Sequence, residues 1–387
     1  MASDRLLTRP FKLTWAFYFC VFAVGYQLYP VLPLRMRELG ASLAESGRFM
    51  ALFMIGSGLG ALFTGSLGDR LGPRRVMMGA SLMCAGFFAA YAFVATPSLL
   101  LLLAPLHGVV WSALRTSGVN KAGSLLPEEN KAEGLTLFGL ASPSGVALGP
   151  LVGLFLFPRL GIRPHMLILA VGFLGEALLA RQLPKDRPHR DARPALFQAP
   201  EPWLWPVAAL LFVLALSYGP MPPYAAQEAK ALGLAWPSAL LTCFALGMMG
   251  LRLVLGFTGL GRDPLRLLPW MLLLAAFGNA LLVALPGGLG RHIAGALVYG
   301  AGYGMVHTLV FTAALTHAAP ARRGAGVGLL YASFDAGSAL GAWGIGPVME
   351  HWSFRHGWAV GAVALLLVLP LARTLARRFA TPEIRHA

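Results

Sequence analysis

Two ionisable side chains stand deep in long apolar runs, and they define the chemistry this sequence can do. Asp335 lies about twelve residues into the run Gly324–Met349, roughly 18 Å along a helix at its 1.5 Å rise. With lipid around that run, the carboxyl sits near the membrane midplane, where an ionised acid is costly. Such a group takes a proton when dry and gives it up when wet, which is what a proton-coupling residue must do. The other reading of Asp335 is a structural hydrogen bond between helices. Arg115 lies about six residues from the end of Ser98–Lys121, roughly 9 Å deep. Its guanidinium either snorkels to the surface or faces inward, tuning a proton site or binding substrate. His307 follows Arg115 at a distance of 192 residues. A histidine can carry a proton, although a lone one is more often a packing residue. Glu176 is the other acid within an apolar run.

The elements that position these groups are membrane spans. Of 387 residues, 57% are hydrophobic and 12% charged, about half the charged share of soluble domains. Mean hydropathy is +0.67. Lipid is therefore the solvent for most of the chain. Spans of roughly 17–25 residues can be drawn twelve times: Lys12–Pro33, Gly47–Thr64, Val76–Thr96, Ser98–Lys121, Gly134–Phe157, Pro164–Ala180, Trp203–Ala226, Pro237–Phe257, Leu267–Leu285, His292–Leu315, Gly324–Met349 and Gly357–Ala376. The first is too long for a signal-peptide core and reads as an uncleaved span. A polar linker, Arg181–Pro202, divides them six and six. The expected domains are residues 1–182, a cytoplasmic linker 183–201, and residues 202–387.

Charge sets the orientation. The net charge is +15. With both termini inside, 21 Lys and Arg fall in inner segments and 8 in outer loops, leaving Arg115 and Arg252 within spans. That bias follows the positive-inside rule and explains the excess without nucleic acid. Cys20, Cys84 and Cys243 lie in apolar runs with no CxxC spacing and read as packing residues. His351 and His356 are too weak a pattern for metal. No cofactor or metal site is expected.

A repeat runs through the chain at the same offset of 192 residues. Tyr26 and Pro30 match Tyr218 and Pro222; Gly108 matches Gly300; Gly134, Gly145 and Gly149 match Gly326, Gly337 and Gly341. Two six-helix halves related about the membrane normal are a transporter architecture.

Three motifs carry a resemblance to the major facilitator superfamily. The loop after span two, Gly65-Ser66-Leu67-Gly68-Asp69-Arg70-Leu71-Gly72-Pro73-Arg74-Arg75, resembles that superfamily's signature loop, with Pro73 in place of a basic residue. Span four carries Arg115-Thr116-Ser117-Gly118, which resembles the Arg-x-x-x-Gly of the corresponding helix but brings the glycine one residue closer to the arginine. Span five carries Gly145, Gly149, Pro150 and Gly153, similar to the motif of the drug/proton antiporter branch. Small residues four apart allow close helix packing. The second-half loop, Gly259-Leu260-Gly261-Arg262-Asp263-Pro264, is a degenerate copy.

The resemblance implies an all-α integral membrane fold of twelve helices in two pseudo-symmetric halves. It implies a proton-coupled exporter of a small organic molecule, working by alternating access, monomeric, in the cell (inner) membrane. It further implies proton coupling at Asp335, Arg115 and His307, and cavity contacts from Tyr26, Gln27, Tyr29, Tyr218 and Tyr224. Gly65, Asp69, Arg70, Gly72 and Arg74 would form a conformational gate. Span six is peripheral in that fold, so Glu176 is expected at an interface. The rival is a proton symporter importing an organic anion, with Arg115 and His307 as the anion ligands; a transporter-like sensor is a weaker one. There is no nucleophile–base pair for an enzyme and no Gly-x-x-x-x-Gly-Lys-Ser/Thr loop for ATP-driven transport.

The orientation is checked by a single cysteine at Arg190 on a Cys-free background. An impermeant thiol reagent applied to sealed cells should leave it unlabelled; robust labelling would overturn the assignment of the linker to the cytoplasm.

Overall fold

The computed structural model describes residues 8–127, 131–186, 199–258, 264–318 and 323–380. Their regular structure is helical throughout, with no strand among the described residues. Among the described residues eight helices are long and apolar enough to cross a membrane; Ala239–Val254 and Leu268–Ala284 are shorter apolar ones. Pro73–Tyr91 and Arg323–His351 complete the twelve.

The helix ends follow from local chemistry. Thr8 caps span one by accepting from the Phe11 N–H at 3.4 Å, and Ser353 does the same for His356 at 3.4 Å, as N-cap hydroxyls do. Spans three and four begin on Pro73 and Pro97, where the missing N–H costs nothing. The unusual Pro73 of the signature loop is thus a helix start.

Spans one and seven are each built in two pieces. Span one runs Arg9–Gly25 and Leu28–Glu38. Pro30 has no N–H for the Tyr26 carbonyl, which accepts instead from Tyr29 at 3.3 Å, so the helix tightens and breaks there. Span seven runs Leu204–Tyr218 and Met221–Ala231, interrupted at Gly219 and Pro220, with Pro222 at the repeat position of Pro30. Span five departs from the expected single helix. A short helix Lys131–Phe138 precedes Ala141–Leu160, because Pro143 cannot bond the Gly139 carbonyl and Leu140 turns back to Leu137 at 3.2 Å.

The repeat is exact in spans four and ten. Span four is Pro97–Leu125 and span ten is Leu289–His317; both ends differ by 192 residues. Spans six and twelve begin at Ile162 and Phe354, again 192 apart.

Two compact units result: residues 1–39 with 52–197, and residues 40–51 with 198–387. Segment 40–51 belongs with the second because Glu350 accepts from Ala44 N at 3.0 Å and Ser42 Oγ at 3.1 Å. In each unit, helices meet backbone to backbone through glycine. A Cβ on Gly108 would overlap the Phe53 carbonyl oxygen, one on Gly300 the Phe244 carbonyl oxygen, and one on Gly337 the Phe212 carbonyl oxygen. Gly79 and Gly86 have nothing within 4 Å.

Alanine at Gly108, Gly300 or Gly337 should therefore destabilise the protein by about 1–3 kcal/mol through overpacking. Alanine at Gly79 or Gly86 should be neutral or slightly stabilising, since it removes a poor helix former. Thermal unfolding in detergent reads the difference, and equal melting across both sets would refute the packing account.

Candidate functional site

Arg115 is the charged centre of the first unit. It is 7% exposed, and its Nη2 donates to Ser57 Oγ at 3.2 Å. Trp111, Arg115 and Gly118 recur at helical spacing, so they share one face of span four. Gly118 leaves room for the Tyr18 ring, whose edge would lie 2.5 Å from a Cβ there, and the Tyr18 hydroxyl donates to the Arg115 carbonyl at 3.4 Å. Trp111 is the hub of an aromatic cluster: ring centroids lie at 5.4 Å to Phe22, 6.2 Å to Tyr26, 6.4 Å to Tyr29 and 6.2 Å to Phe53. Spans one, two and four thus place one guanidinium on the same helix face as a nest of rings.

The expected cavity residues fare differently. Tyr26 is half-buried. Tyr29 is buried. Gln27 is buried too, its Oε1 2.9 Å from His165 Nε2 of span six. In the second unit Tyr218 is buried and stacks on Phe244 at 5.4 Å. Tyr224 is wholly buried and donates to the Ala342 carbonyl at 2.8 Å. Gly346 gives its hydroxyl space, since a Cβ there would collide with it. Tyr224 is committed to packing.

His307 centres the second unit's counterpart. Tyr303, His307 and Phe311 form a stripe along span ten. The imidazole stacks on Phe311 at 4.6 Å and meets Phe334 edge-on at 5.7 Å. Asp335 follows Phe334 on span eleven and is fully buried. Arg252 of span eight, noted in the sequence only as a charge within a span, donates to the Gly304 carbonyl at 3.1 Å, one turn from His307. Arg115 and His307 therefore occupy equivalent places in separate units, a cation in one and an imidazole in the other, each flanked by aromatic rings.

Glu176 corrects one expectation. It is not interfacial. It is 3% exposed, on the face of span six that also buries Phe173, Ala177 and Ala180, and neither carboxyl oxygen has a hydrogen-bond partner among the described residues. Span six turns this face onto spans one and three, so a peripheral helix still has an inside.

Of the expected gate, the side chains of Gly65 and Asp69 lie outside the described residues, and Arg70 is exposed. Gly72 and Arg74 meet a residue that sequence reasoning missed. Asp186 accepts from the Arg74 backbone N–H at 2.9 Å and from Lys121 Nζ at 2.7 Å. Arg74 Nη2 donates to the Arg181 carbonyl at 2.6 Å, and Lys121 Nζ to the Pro184 carbonyl at 2.7 Å. Gly72 has φ 86°, and a Cβ there would lie 2.5 Å from Asp186 Oδ2. The carboxylate seats on the first turn of span three, where the helix dipole is positive. Nothing in the sequence pointed to the linker as the source of the anion at this helix start.

Among the described residues no three His, Cys, Asp or Glu gather as metal ligands. Gly145, Gly149 and Gly153 face span one at Phe22, Ala23 and Gln27, with Pro150 buried among them.

Twelve apolar helices in two repeated halves, with a few buried charges inside, are the build of a polytopic membrane transporter. The family model described as Major Facilitator Superfamily matches residues 14–342, and the chain belongs to that superfamily. It is 32% identical over 143 residues to a 4-hydroxybenzoate transporter, PcaK, of Acinetobacter baylyi, covering 36% of this chain and 31% of that protein. It is 30% identical over 149 residues to a gallate transporter of Pseudomonas putida, covering 38% and 33%. A third relative, YfnC of Bacillus subtilis, is an uncharacterized transporter, 30% identical over 155 residues, covering 39% and 36%. The chain thus spans about a third of the length of the curated relatives it matches. None of these three is named as a drug exporter, so the branch expected from span five finds no support among them. The human organic anion transporter MFSD10 shares the fold, with TM-score 0.75 at 15% identity over 94% of this chain and 99% of that one.

Asp186→Asn removes the charge that Lys121 and the start of span three share. The expected loss is about 1–3 kcal/mol, below the range for a fully buried pair because Asp186 keeps 17% exposure. Gly72→Ala should cost a similar amount through its backbone conformation and its contact. Unaltered melting temperatures in both variants would contradict this account.

Proposed function

We propose that this chain is a proton-coupled symporter that imports a small organic anion of the aromatic carboxylate class by alternating access. The observation that carries the reading is Arg115: a guanidinium 7% exposed, inside the membrane span, in an aromatic neighbourhood built on Trp111. Arginine presents a planar fork that matches a carboxylate bidentately. Aromatic side chains add stacking for a substrate ring, worth about 0.5–1.5 kcal/mol per ring pair. The names of the relatives, a 4-hydroxybenzoate and a gallate transporter, support the same substrate class. Proton coupling falls to Asp335, with His307 tuning it. The carrier acts as a monomer in the cell (inner) membrane, both termini cytoplasmic.

Export in exchange for protons remains the second reading, favoured by the span-five sequence Gly145, Gly149, Pro150 and Gly153. The contacts those glycines make with span one account for them as packing, which leaves the export reading without a distinct observation.

The two readings differ in the sign of flux. Proteoliposomes holding the purified full chain and given labelled 4-hydroxybenzoate should accumulate it when the proton gradient drives protons along with substrate. A protonophore should abolish that accumulation. Efflux against the same gradient would establish export instead. Arg115→Lys should weaken substrate affinity about tenfold, roughly 1.4 kcal/mol, by replacing a fork with a point charge. Asp335→Asn should keep substrate exchange and lose gradient-driven accumulation; accumulation at the wild-type rate in that variant would remove Asp335 from coupling.

A further inference from the structure

A buried charged group at the loop-side end of spans seven and ten has no part in the account above. Glu228 stands three residues before the end of Met221–Ala231, and Arg291 and His292 are the third and fourth residues of Leu289–His317. Trp358 lies near the start of Phe354–Leu367. Their exposures are 2%, 4%, 1% and 1%. Arg291 Nη2 pairs with Glu228 Oε1. Trp358 Nε1 donates to Glu228 Oε2 at 2.8 Å, and His292 Nε2 lies 3.3 Å from the same oxygen.

The hydrogen bonds require a proton within this group. His292 Nδ1 is 3.1 Å from the Gly288 carbonyl. A carbonyl only accepts, so Nδ1 carries a hydrogen. Nε2 then faces a carboxylate oxygen. Two acceptors do not bond, so the contact holds only with one further proton between them, as imidazolium against carboxylate or as imidazole against carboxylic acid. With that proton the group, Arg291 included, carries one net positive charge in a buried place. Without it the group is neutral, but a ring lone pair confronts an anion. Hydrogen bonding favours uptake of the proton, and burial favours its release.

The first half carries no charge at these positions; Leu99, at the offset of Arg291, is 43% exposed. At the 192-residue offset, Glu228, His292 and Trp358 correspond to Met36, Leu100 and Met166, which are buried to the same degree at 0%, 1% and 0%. Apolar side chains fill the same packing position in the first half. Buried ion pairs are in general poor sources of stability compared with apolar residues of like volume.

Other charges stand back from the pair. On span twelve Arg355 and His356 are exposed and bonded to the Leu285 carbonyl and Ser353 Oγ. On span eleven Glu350 is bonded to Ser42 and Ala44, and His351 to the Pro347 carbonyl. Lys230 is exposed. Arg252 of span eight bonds Gly304, and spans seven (first segment) and nine have no charged residue.

We propose that Glu228 and His292 together form a proton-binding site of the second unit, with Arg291 paired to the carboxylate and Trp358 holding it. It lies about 5 Å from its helix ends, within reach of the loops, far from the depth of Asp335. The proton joins Nε2 or Oε2 from water and returns to water. A role as the station that loads protons for transport rests on the proton-coupled reading above; the proton chemistry does not.

Infrared pH-difference spectroscopy on the purified full chain in lipid, without substrate, reads the proton directly. The wild type should show a protonation signal that disappears in Glu228→Gln and equally in His292→Gln, since each removes half of the shared-proton bond. A signal intact in either variant overturns the site. This readout needs no transport, so it stands apart from any failure of the organic-anion reading. The loading role is read with a triple variant, Glu228→Met, Arg291→Leu and His292→Leu, which installs the first half's residues. It should melt no lower than wild type. One coupled proton contributes about tenfold accumulation per pH unit; that increment should vanish in the triple variant while exchange of labelled 4-hydroxybenzoate persists. Undiminished accumulation overturns the loading role, and the two Gln variants supply the same measurement where the triple variant does not fold.

Discussion

In hydrocarbon, each backbone N–H and C=O must find its partner within the chain. Nearly everything in this protein follows from that. It dictates helices throughout, and it limits where a helix can be interrupted. The breaks fall at Tyr26 and Gln27 in span one, ahead of Pro30, and at Gly219 and Pro220 in span seven; in span one the freed Tyr26 carbonyl is taken up by a tighter turn from Tyr29. The same requirement makes polar side chains scarce and commits those that remain. Tyr224 gives its hydroxyl to a span-eleven carbonyl, Arg252 its guanidinium to span ten, and Ser217 bonds Tyr299 at 2.7 Å.

Against that background the two halves share a backbone plan while differing in what they carry. Spans four and ten have the same length and matching ends. Along them, one half places Arg115 where the other places His307, and one half buries Leu100 where the other buries His292. Packing fixes the scaffold through glycine-to-carbonyl approaches such as Gly108 on Phe53 and Gly300 on Phe244. The chemistry is then free to diverge, because substituting a side chain in an already closed position does not disturb the helix-to-helix distance.

Much of the fold was legible in the residues. Twelve apolar runs, a polar linker and the 192-residue repeat depend only on local composition and order, and the helices lie where those runs do. Span five was misread as one helix because the weight of its apolar content hid the local effect of Pro143. The site was less legible. A position in a span gives depth but not direction around the helix. Glu176 therefore could not be assigned to the inside, nor Gln27 to a contact with His165. Asp186 sits in a linker of ordinary polar composition, and only the fold brings it to Gly72 and Lys121. Glu228, Arg291 and His292 come from loop-side ends that in sequence look like solvated flanks.

The equal lengths of spans four and ten make each helix a ruler for the other. Arg115 is the nineteenth residue of its helix and His307 the nineteenth of its own, counted from Pro97 and Leu289. Adding one residue ahead of either would turn it by about 100° and slide it by about 1.5 Å, carrying the functional group to a different neighbour while hydropathy stayed the same. Point substitutions along these two helices are thus an accessible route of divergence, whereas single-residue insertions are closed off. Length change in this protein is accommodated in the connections between the spans.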